Sequence, residues 1–311
     1  MKAIVANPAV AGALEIAEIP APSPDSGEVL IRVTAISLNR GELRRAQAAE
    51  PGMQIGWDLS GVVETAARNG SGPKAGQRVV GFSRRMQGWA ELVALPTADV
   101  AVIPDAVSDN DAATLPVAGL TALYCLERCE RLLASRVLIT GATGGVGYFA
   151  CQLARLMGAH TTAQLRRADH AELIEALGVD ALAVSPDGAG LESYGPFRGI
   201  IDGVGGDTLS HLLPLLDADG RAILYGVSEG PESKLAVRNL MFTGAGRIEG
   251  FYLYRDSEFE TASRGLARLL ALLAHGRLKT LISRTGGWEE IGATAVALID
   301  RDFPGKAVLT L

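Results

Sequence analysis

The first hundred residues alternate between short apolar runs rich in β-branched side chains and clusters of glycine and proline. "EVLIRVTAIS" (28–37) and "RVVGF" (78–82) are such runs, and "PAPSPDSGE" and "NGSGPKAGQ" are two of the interruptions. Branched side chains pack well on a pleated surface and Gly and Pro end it, so this region predicts a small β-rich domain. Near residue 109 the pattern changes. "DNDAATLPVAGLTALYCLERCERL" is Ala/Leu-rich at helical spacing, and Asp109 is its predicted N-cap. Strand-length runs then alternate with helical stretches. "RVLIT" (136–140), "TTAQL" (161–165), "ALAV" (181–184), "GIIDGV" (199–204) and "RAILYG" (221–226) are strands, while "GVGYFACQLARLMGA" and "ADHAELIEALG" are helices. The alternation predicts a parallel sheet with helices on both faces. "SEFETASRGLARLLALLAHGRL" (257–278) predicts one long amphipathic helix, and "GKAVLTL" a final strand.

Composition narrows the class. A chain of 311 residues is long for one core and predicts two domains. Hydrophobic residues at 48% and charged residues at 21% fit a globular protein rather than a disordered one. A net charge of -6 argues against a polyanionic partner, since nucleic-acid binding needs a concentrated basic face. No apolar run approaches the roughly 18 residues of a membrane helix. The opening "MKAIVANPAVAGALEIAEIP" is interrupted by Asn7, Pro8 and Glu15, so it predicts strand, turn and strand rather than a signal peptide. Three cysteines (Cys125, Cys129, Cys151) make no disulfide framework and fit a reducing, cytoplasmic setting. Cys125 and Cys129 lie one helical turn apart. No His or Cys near them in sequence completes a tetrahedral site, and the four His show no pair spacing. Buried thiols and surface imidazoles are expected, and no metal.

The chemistry-bearing stretch is "ITGATGGVG" (139–147). A strand followed by glycines and then a helix aims backbone N–H groups and the positive end of the helix dipole at one place, which suits a pyrophosphate. Gly144 lets the backbone approach the phosphates and Gly147 lets the helix pack on the strand. Ala142 stands where the first Gly of G-x-G-x-x-G belongs, so the glycines alone also fit a packing turn. The strand–turn–helix–strand context favours a dinucleotide. NAD sites place an acidic residue about 20 residues on, to hold the ribose 2′-OH. Here "QLRRAD" puts Arg166 and Arg167 in that region. Two loop arginines can be merely solvated, but in this position they point to NADPH, because a guanidinium fork binds a 2′-phosphate that a carboxylate would repel. The glycines also satisfy the short-chain dehydrogenase pattern T-G-x-x-x-G-x-G. That family places them near the N-terminus and uses Tyr-x-x-x-Lys. None of the six tyrosines here has Lys four residues on, so it is rejected.

Seven blocks, in order, carry a family resemblance: "SLNRGELRR" (37–45), "GWDLSGVVE" (56–64), "AGLTALYCL" (118–126), "VLITGATGGVGYFACQLARLMGA" (137–159), "IIDGVGG" (200–206), "GRAILYG" (220–226) and "GKAVLTL" (305–311). Together they resemble the medium-chain dehydrogenase/reductase superfamily, and within it the zinc-free quinone oxidoreductase (ζ-crystallin-like) group. The resemblance implies an α/β chain of two domains. A GroES-like β-rich catalytic domain covers 1–115 with a C-terminal return over 256–311, and a Rossmann domain with a doubly wound parallel sheet covers 116–255. It also implies a cleft between them for nicotinamide and substrate, and a homodimer by family habit alone. Zinc alcohol dehydrogenases of this superfamily carry a Cys in the first block, a His at the position of Trp57, and a further Cys near "LPVAG" (115–119). This chain has none of the three, nor the four-cysteine structural lobe. Without a Lewis acid an alkoxide lacks a strong stabiliser, so alcohol oxidation is not expected.

Residue by residue, the resemblance implies that Asn39 faces the nicotinamide side of the cleft and that Thr121 lies near the nicotinamide ribose. Gly144, Gly145 and Val146 form the pyrophosphate turn. Gly226, Val227, Phe251 and Leu253 approach the nicotinamide. Relatives often carry Ser and Lys in the 2′-phosphate pocket and a Tyr after the third strand. Here Arg166 and Arg167 occupy the first region and Ser185 the second. Enoyl-thioester reductases often have a Tyr proton donor near Arg40–Gly41, which is absent here. Asn39 or Arg40 can orient the substrate, water can give the proton, and Arg40 can equally be solvated. Trp57 walls the cleft or simply packs. Tyr252 and Tyr254 face substrate or a domain seam. The expected activity is hydride transfer from NADPH to a quinone or α,β-unsaturated carbonyl. Two alternatives stay open: a dedicated enoyl or polyketide-intermediate reductase, and an NADPH-binding protein with little turnover.

Overall fold

β1 (Lys2–Ala6) and β2 (Leu14–Glu18) pair antiparallel at the start of the chain. The β-branched run 28–37 forms β3 (Glu28–Ser37), whose inward side chains Val29, Ile31 and Ile36 are fully buried. The short helix α1 (Arg40–Gln47) follows it. Around β3 assembles a seven-stranded sheet with β4 (Asp58–Thr65), β5 (Arg78–Phe82), β6 (Leu92–Pro96) and β7 (Val100–Val102). The tail of the chain completes this sheet. β14 (Ile282–Gly287) pairs parallel with β15 (Lys306–Thr310), and β15 lies antiparallel to β3, with Val308 opposite Ser37. The core under it holds Ile4, Leu38, Leu43, Leu59, Trp89 and Trp288. Gly56, at φ 120°, lets Trp89 close: a Cβ there would lie 2.2 Å from Trp89 Cγ.

The chain is known here from a computed structural model that describes residues 1–238, 241 and 246–311. It divides into two compact units, Met1–Leu120 with Ser257–Leu311, and Thr121–Asp256. The second unit is a six-stranded sheet in the order β10-β9-β8-β11-β12-β13. Its strands are β8 (Arg136–Ile139), β9 (His160–Leu165), β10 (Ala181–Val184), β11 (Phe197–Asp202), β12 (Leu216–Leu224) and β13 (Arg247–Gly250), all parallel. Successive strands step outward from β8 to β10, then reverse across β11 to β13. This is the doubly wound order, with a switch point between β8 and β11. The α/β class with a GroES-like β-rich part and a Rossmann-type sheet is therefore what the chain adopts.

Two helical stretches differ from expectation. The one after residue 108 is not a single helix. It is α2 (Asp109–Ala113), a π-helical turn over Leu115–Gly119, and α3 (Leu120–Cys129). Pro116 lacks an N–H and cannot sit in a regular interior turn. The wider turn diverts Val117 N–H to Asp58 Oδ1, at 2.9 Å. The N-cap of α2 is Ser108, whose Oγ accepts from Asp111 N, while Asp109 turns its carboxylate to Arg78. Helices α4 (Gly145–Leu156), α5 (Ala171–Glu175) and α6 (Gly206–Leu212) then follow strands β8, β9 and β11 in the chain. The stretch 257–278 is likewise broken, into α7 (Leu253–Phe259) and α8 (Ala262–Ala274), with Thr261 extended between them as N-cap. No helix of the described residues is long and apolar enough to cross a membrane.

Candidate active site

The predicted phosphate turn leaves β8 at its carboxyl end. Gly141 is left-handed (φ 58°), and Gly144 is the N-cap of the twelve-residue helix α4. Gly144 N donates to Gly141 O at 2.9 Å, and Tyr148 N returns to Gly144 O at 2.9 Å. A Cβ on Gly147 would lie 2.4 Å from Gly141 O, so only glycine allows the helix to sit this close to the strand. The first N–H groups of a helix have no intrahelical acceptor. Gly145 and Val146 therefore present theirs at the mouth of the turn, as a cradle of pyrophosphate size requires.

Three further strand ends supply the rest of this edge. β9 ends at Leu165, and Arg166 and Arg167 follow, both exposed. Arg167 Nε pairs with Asp169 at 3.0 Å. Gln164, buried in β9, accepts from Gly141 N with its side-chain oxygen (3.2 Å) and donates to Ser185 O (2.6 Å). β11 ends on Asp202, which is fully buried and accepts from Thr140 Oγ1 at 2.7 Å and Gly205 N at 2.9 Å. Burial raises its carboxyl above the usual range, and these hydrogen bonds oppose that. β12 leads to Gly226 and Val227, beside Gly203 and Gly205. Phe251 N donates to Leu224 O at 2.8 Å, which sets Phe251 and Leu253 after β13 next to the end of β12. The glycine turn, Arg166, Arg167, Gly226, Val227, Phe251 and Leu253 thus share the carboxyl edge of one parallel sheet. Thr121 lies in the first turn of α3, buried. Tyr252 and Tyr254 stack on each other at 5.0 Å.

The other unit holds the remaining predicted residues, together with a buried charge cluster that sequence reasoning missed. Asn39 is the N-cap of α1, and Glu42 reaches back to Asn39 N at 2.7 Å. The other Glu42 oxygen accepts from Trp57 N at 2.7 Å. Asn39 Nδ2 donates to Asp58 (2.8 Å) and Glu42 (3.2 Å), and Asn39 Oδ1 accepts from Lys306 Nζ (2.5 Å). Lys306 also donates to Leu38 O at 2.9 Å and Asp58 at 3.2 Å. Glu42 and Asp58 are fully buried and Lys306 is 3% exposed. Burial, then the nearby Asp58 charge, holds the Glu42 carboxyl well above the usual range. Both amide hydrogens of Asn39 are therefore engaged inside the cluster. The Trp57 ring lies over Gly41, where a Cβ would be 3.0 Å away, so it packs against the first turn of α1, which Arg40 begins. The Asn39–Glu42 spacing was the signal available for Glu42. Nothing local marked Lys306.

No three His, Cys, Asp or Glu side chains among the described residues converge in a way that suits a metal ion. Asp58 already carries an ammonium as its counter-ion and Trp57 offers no donor in the ring's place, so this donor set does not fit zinc. Cys125, Cys129 and Cys151 are buried free thiols, with Cys129 and Cys151 each pushed up to about 12 by burial.

Residues 25–105 match the family described as "Alcohol dehydrogenase GroES-like domain" and residues 145–268 match "Zinc-binding dehydrogenase". The chain is 31% identical to the chloroplast envelope quinone oxidoreductase homolog of Arabidopsis thaliana, over 96% of this chain and 94% of that protein. This chain belongs to the medium-chain dehydrogenase/reductase superfamily. Within the superfamily it is a quinone oxidoreductase-like oxidoreductase. It is 27% identical to the synaptic vesicle membrane protein VAT-1 homolog of Danio rerio, over 93% of its own length but spanning 65% of that relative. It is 33% identical, over 69% of its length, to a part covering 10% of a phenolphthiocerol/phthiocerol polyketide synthase of Mycobacterium tuberculosis. In fold it superimposes on the Escherichia coli quinone oxidoreductase solved with NADPH, with a TM-score of 0.86, full coverage of both chains and 22% identity.

Proposed function

We propose that this oxidoreductase is a zinc-independent, NADPH-dependent reductase of quinones or α,β-unsaturated carbonyls. The observation that carries the reading is the shared strand edge of the parallel sheet, where the α4 N-terminus and Arg166 stand at the ends of neighbouring strands. The Arabidopsis relative's name and the NADPH in the Escherichia coli structure support it.

NADPH, when bound, supplies the hydride. The chain's own residues do the rest. The N–H groups of Gly145 and Val146 hold the pyrophosphate, and Arg166 holds the 2′-phosphate by a charge-assisted fork. Phe251, Leu253 and Val227 line the nicotinamide side. In the other unit, the Glu42–Asn39–Asp58–Lys306 cluster fixes the Trp57 backbone and the first turn of α1. Trp57 walls the acceptor, and the Arg40 guanidinium orients its oxygen as negative charge develops there. Asn39 has no amide hydrogen left and a guanidinium does not release a proton near neutral pH, so neither residue protonates the reduced acceptor. The test is loss of NADPH absorbance on adding 9,10-phenanthrenequinone, before and after dialysis against a chelator. Turnover unchanged by the chelator is expected. Activity that falls with stoichiometric zinc release would overturn the zinc-free reading.

The match to the polyketide synthase favours one second reading, a narrow reductase of enoyl thioesters. Turnover of a bulky enoyl thioester with none of the quinone would select it.

A further inference from the structure

Gln164 is an interior strand residue with a polar side chain 2% exposed, and every polar group it has at the strand end is engaged. Its side-chain oxygen takes the N–H of Gly141, and its backbone oxygen takes the N–H of Ala142, at 3.2 Å each. Its Nε2 donates to Ser185 O at 2.6 Å, where the chain leaves β10. Ser185 is fixed in turn by Ser185 N to Leu165 O (2.8 Å) and Ser185 Oγ to Ala189 O (2.9 Å). One amide therefore spans three adjacent strand ends, β8, β9 and β10. Gln164 engages the two N–H groups in the first half of the glycine turn. Those in the second half, at Gly145 and Val146, are left facing outward.

The geometry points to Gln164 as a positioning residue for the dinucleotide. It sets the shape of the phosphate turn and anchors the segment after β10 against the strand that carries Arg166 two residues on. This rests on the reading of the turn as the dinucleotide site. The division of labour is specific. Arg166 discriminates a 2′-phosphate from a hydroxyl, whereas Gln164 supports the part that both dinucleotides share. A carboxamide suits the task because it accepts on one side and donates on the other. A carboxylate would accept from Gly141 but face the Ser185 carbonyl with no hydrogen. A protonated carboxyl would restore both bonds.

The test is titration of NADPH and NADH into the full chain and into Gln164→Met and Gln164→Glu, with thermal melts alongside. Gln164→Met keeps the length but orphans both partners, so about a ten-fold weakening of both dinucleotides is expected, with their ratio kept. In turnover, the KM for NADPH should rise with kcat and the quinone KM little changed. Gln164→Glu should bind NADH weakly at pH about 8 and recover towards pH about 6 as the buried carboxyl takes up its proton, a trend absent from the unmodified chain. Folded variants with unchanged affinities would overturn the role of Gln164. If Gln164→Met does not fold, the pH trend of Gln164→Glu decides alone, and its absence is a refutation. An unmodified chain that binds neither dinucleotide would overturn the site itself, and is told apart because the variants are then irrelevant to the result.

Discussion

In the unit built from both ends of the chain, the buried cluster beside α1 is built of ionisable groups. Two carboxyl groups, Glu42 and Asp58, face one ammonium, Lys306, through the Asn39 amide. In the parallel-sheet unit the same job, fixing backbone at a functional edge, falls to a neutral amide, a hydroxyl and one carboxylate: Gln164, Thr140 and Asp202. The first arrangement takes charges out of water and depends on every partner being present, so it responds to pH and breaks hard. The second rests its one buried carboxyl, Asp202, on hydrogen bonds from Thr140 and Gly205 rather than on an ammonium. Gln164 holds the glycine turn with a neutral amide, so it adds no negative charge beside the N–H groups of the turn.

The largest effect that separates the two regions is expected from Lys306→Met, which leaves the buried Asp58 without its counter-ion and should cost about 3–5 kcal/mol in urea unfolding. Adding Asp58→Asn to it should return part of that loss. If Lys306→Met alone is neutral, the cluster is not the anchor described. Next comes Gly147→Ala in the other unit. Its Cβ meets Gly141 O at 2.4 Å, so α4 must move, at about 1–3 kcal/mol and with weaker dinucleotide binding. Unchanged stability and affinity would show that the turn tolerates a wider spacing.

A smaller effect distinguishes the charged from the neutral design by pH. The Glu42 carboxyl is raised by burial and by Asp58, so the folded chain keeps its proton where the unfolded chain has lost it. The stability this gives is complete below the unfolded carboxylate pKa of about 4.3 and is lost as pH rises through the higher folded value. The melting temperature of Glu42→Gln should lose that part of the pH slope, and parallel curves would contradict the assignment. The smallest effect is expected from Arg167→Ala. Arg167 is tied to Asp169 in an exposed pair, so its removal should change NADPH affinity by no more than about two-fold.

The sequence carried some of this and hid the rest for physical reasons. β8, the turn and α4 are local, and strand propensity, glycine and a helical stripe spell them out within roughly 20 residues. The doubly wound class followed from the same alternation. The helix breaks were signalled, by Pro116 in one place and by Thr261 in the other, but an Ala/Leu-rich stripe reads as continuous when its periodicity is taken alone. Lys306 was hidden because "GKAVLTL" reads only as a strand; the pairing of β15 with β3 brings it to Leu38, far off along the chain. Gln164 was hidden because an inward polar residue in "TTAQL" gives no hint of its partners, which belong to two other strands. Among the predicted site residues, those at the glycine turn and the strand ends lie on one edge, and the Asn39 amide hydrogen-bonds to Glu42, Asp58 and Lys306.

The most direct measurement is the pair of dissociation constants for NADPH and NADH, taken on the unmodified chain and on Arg166→Ala. The account predicts at least about a ten-fold preference for NADPH, as expected for one charge-assisted fork, and its loss in Arg166→Ala with NADH binding unchanged. Equal affinity for both dinucleotides in the unmodified chain, or an equal loss of both in the variant, would contradict it.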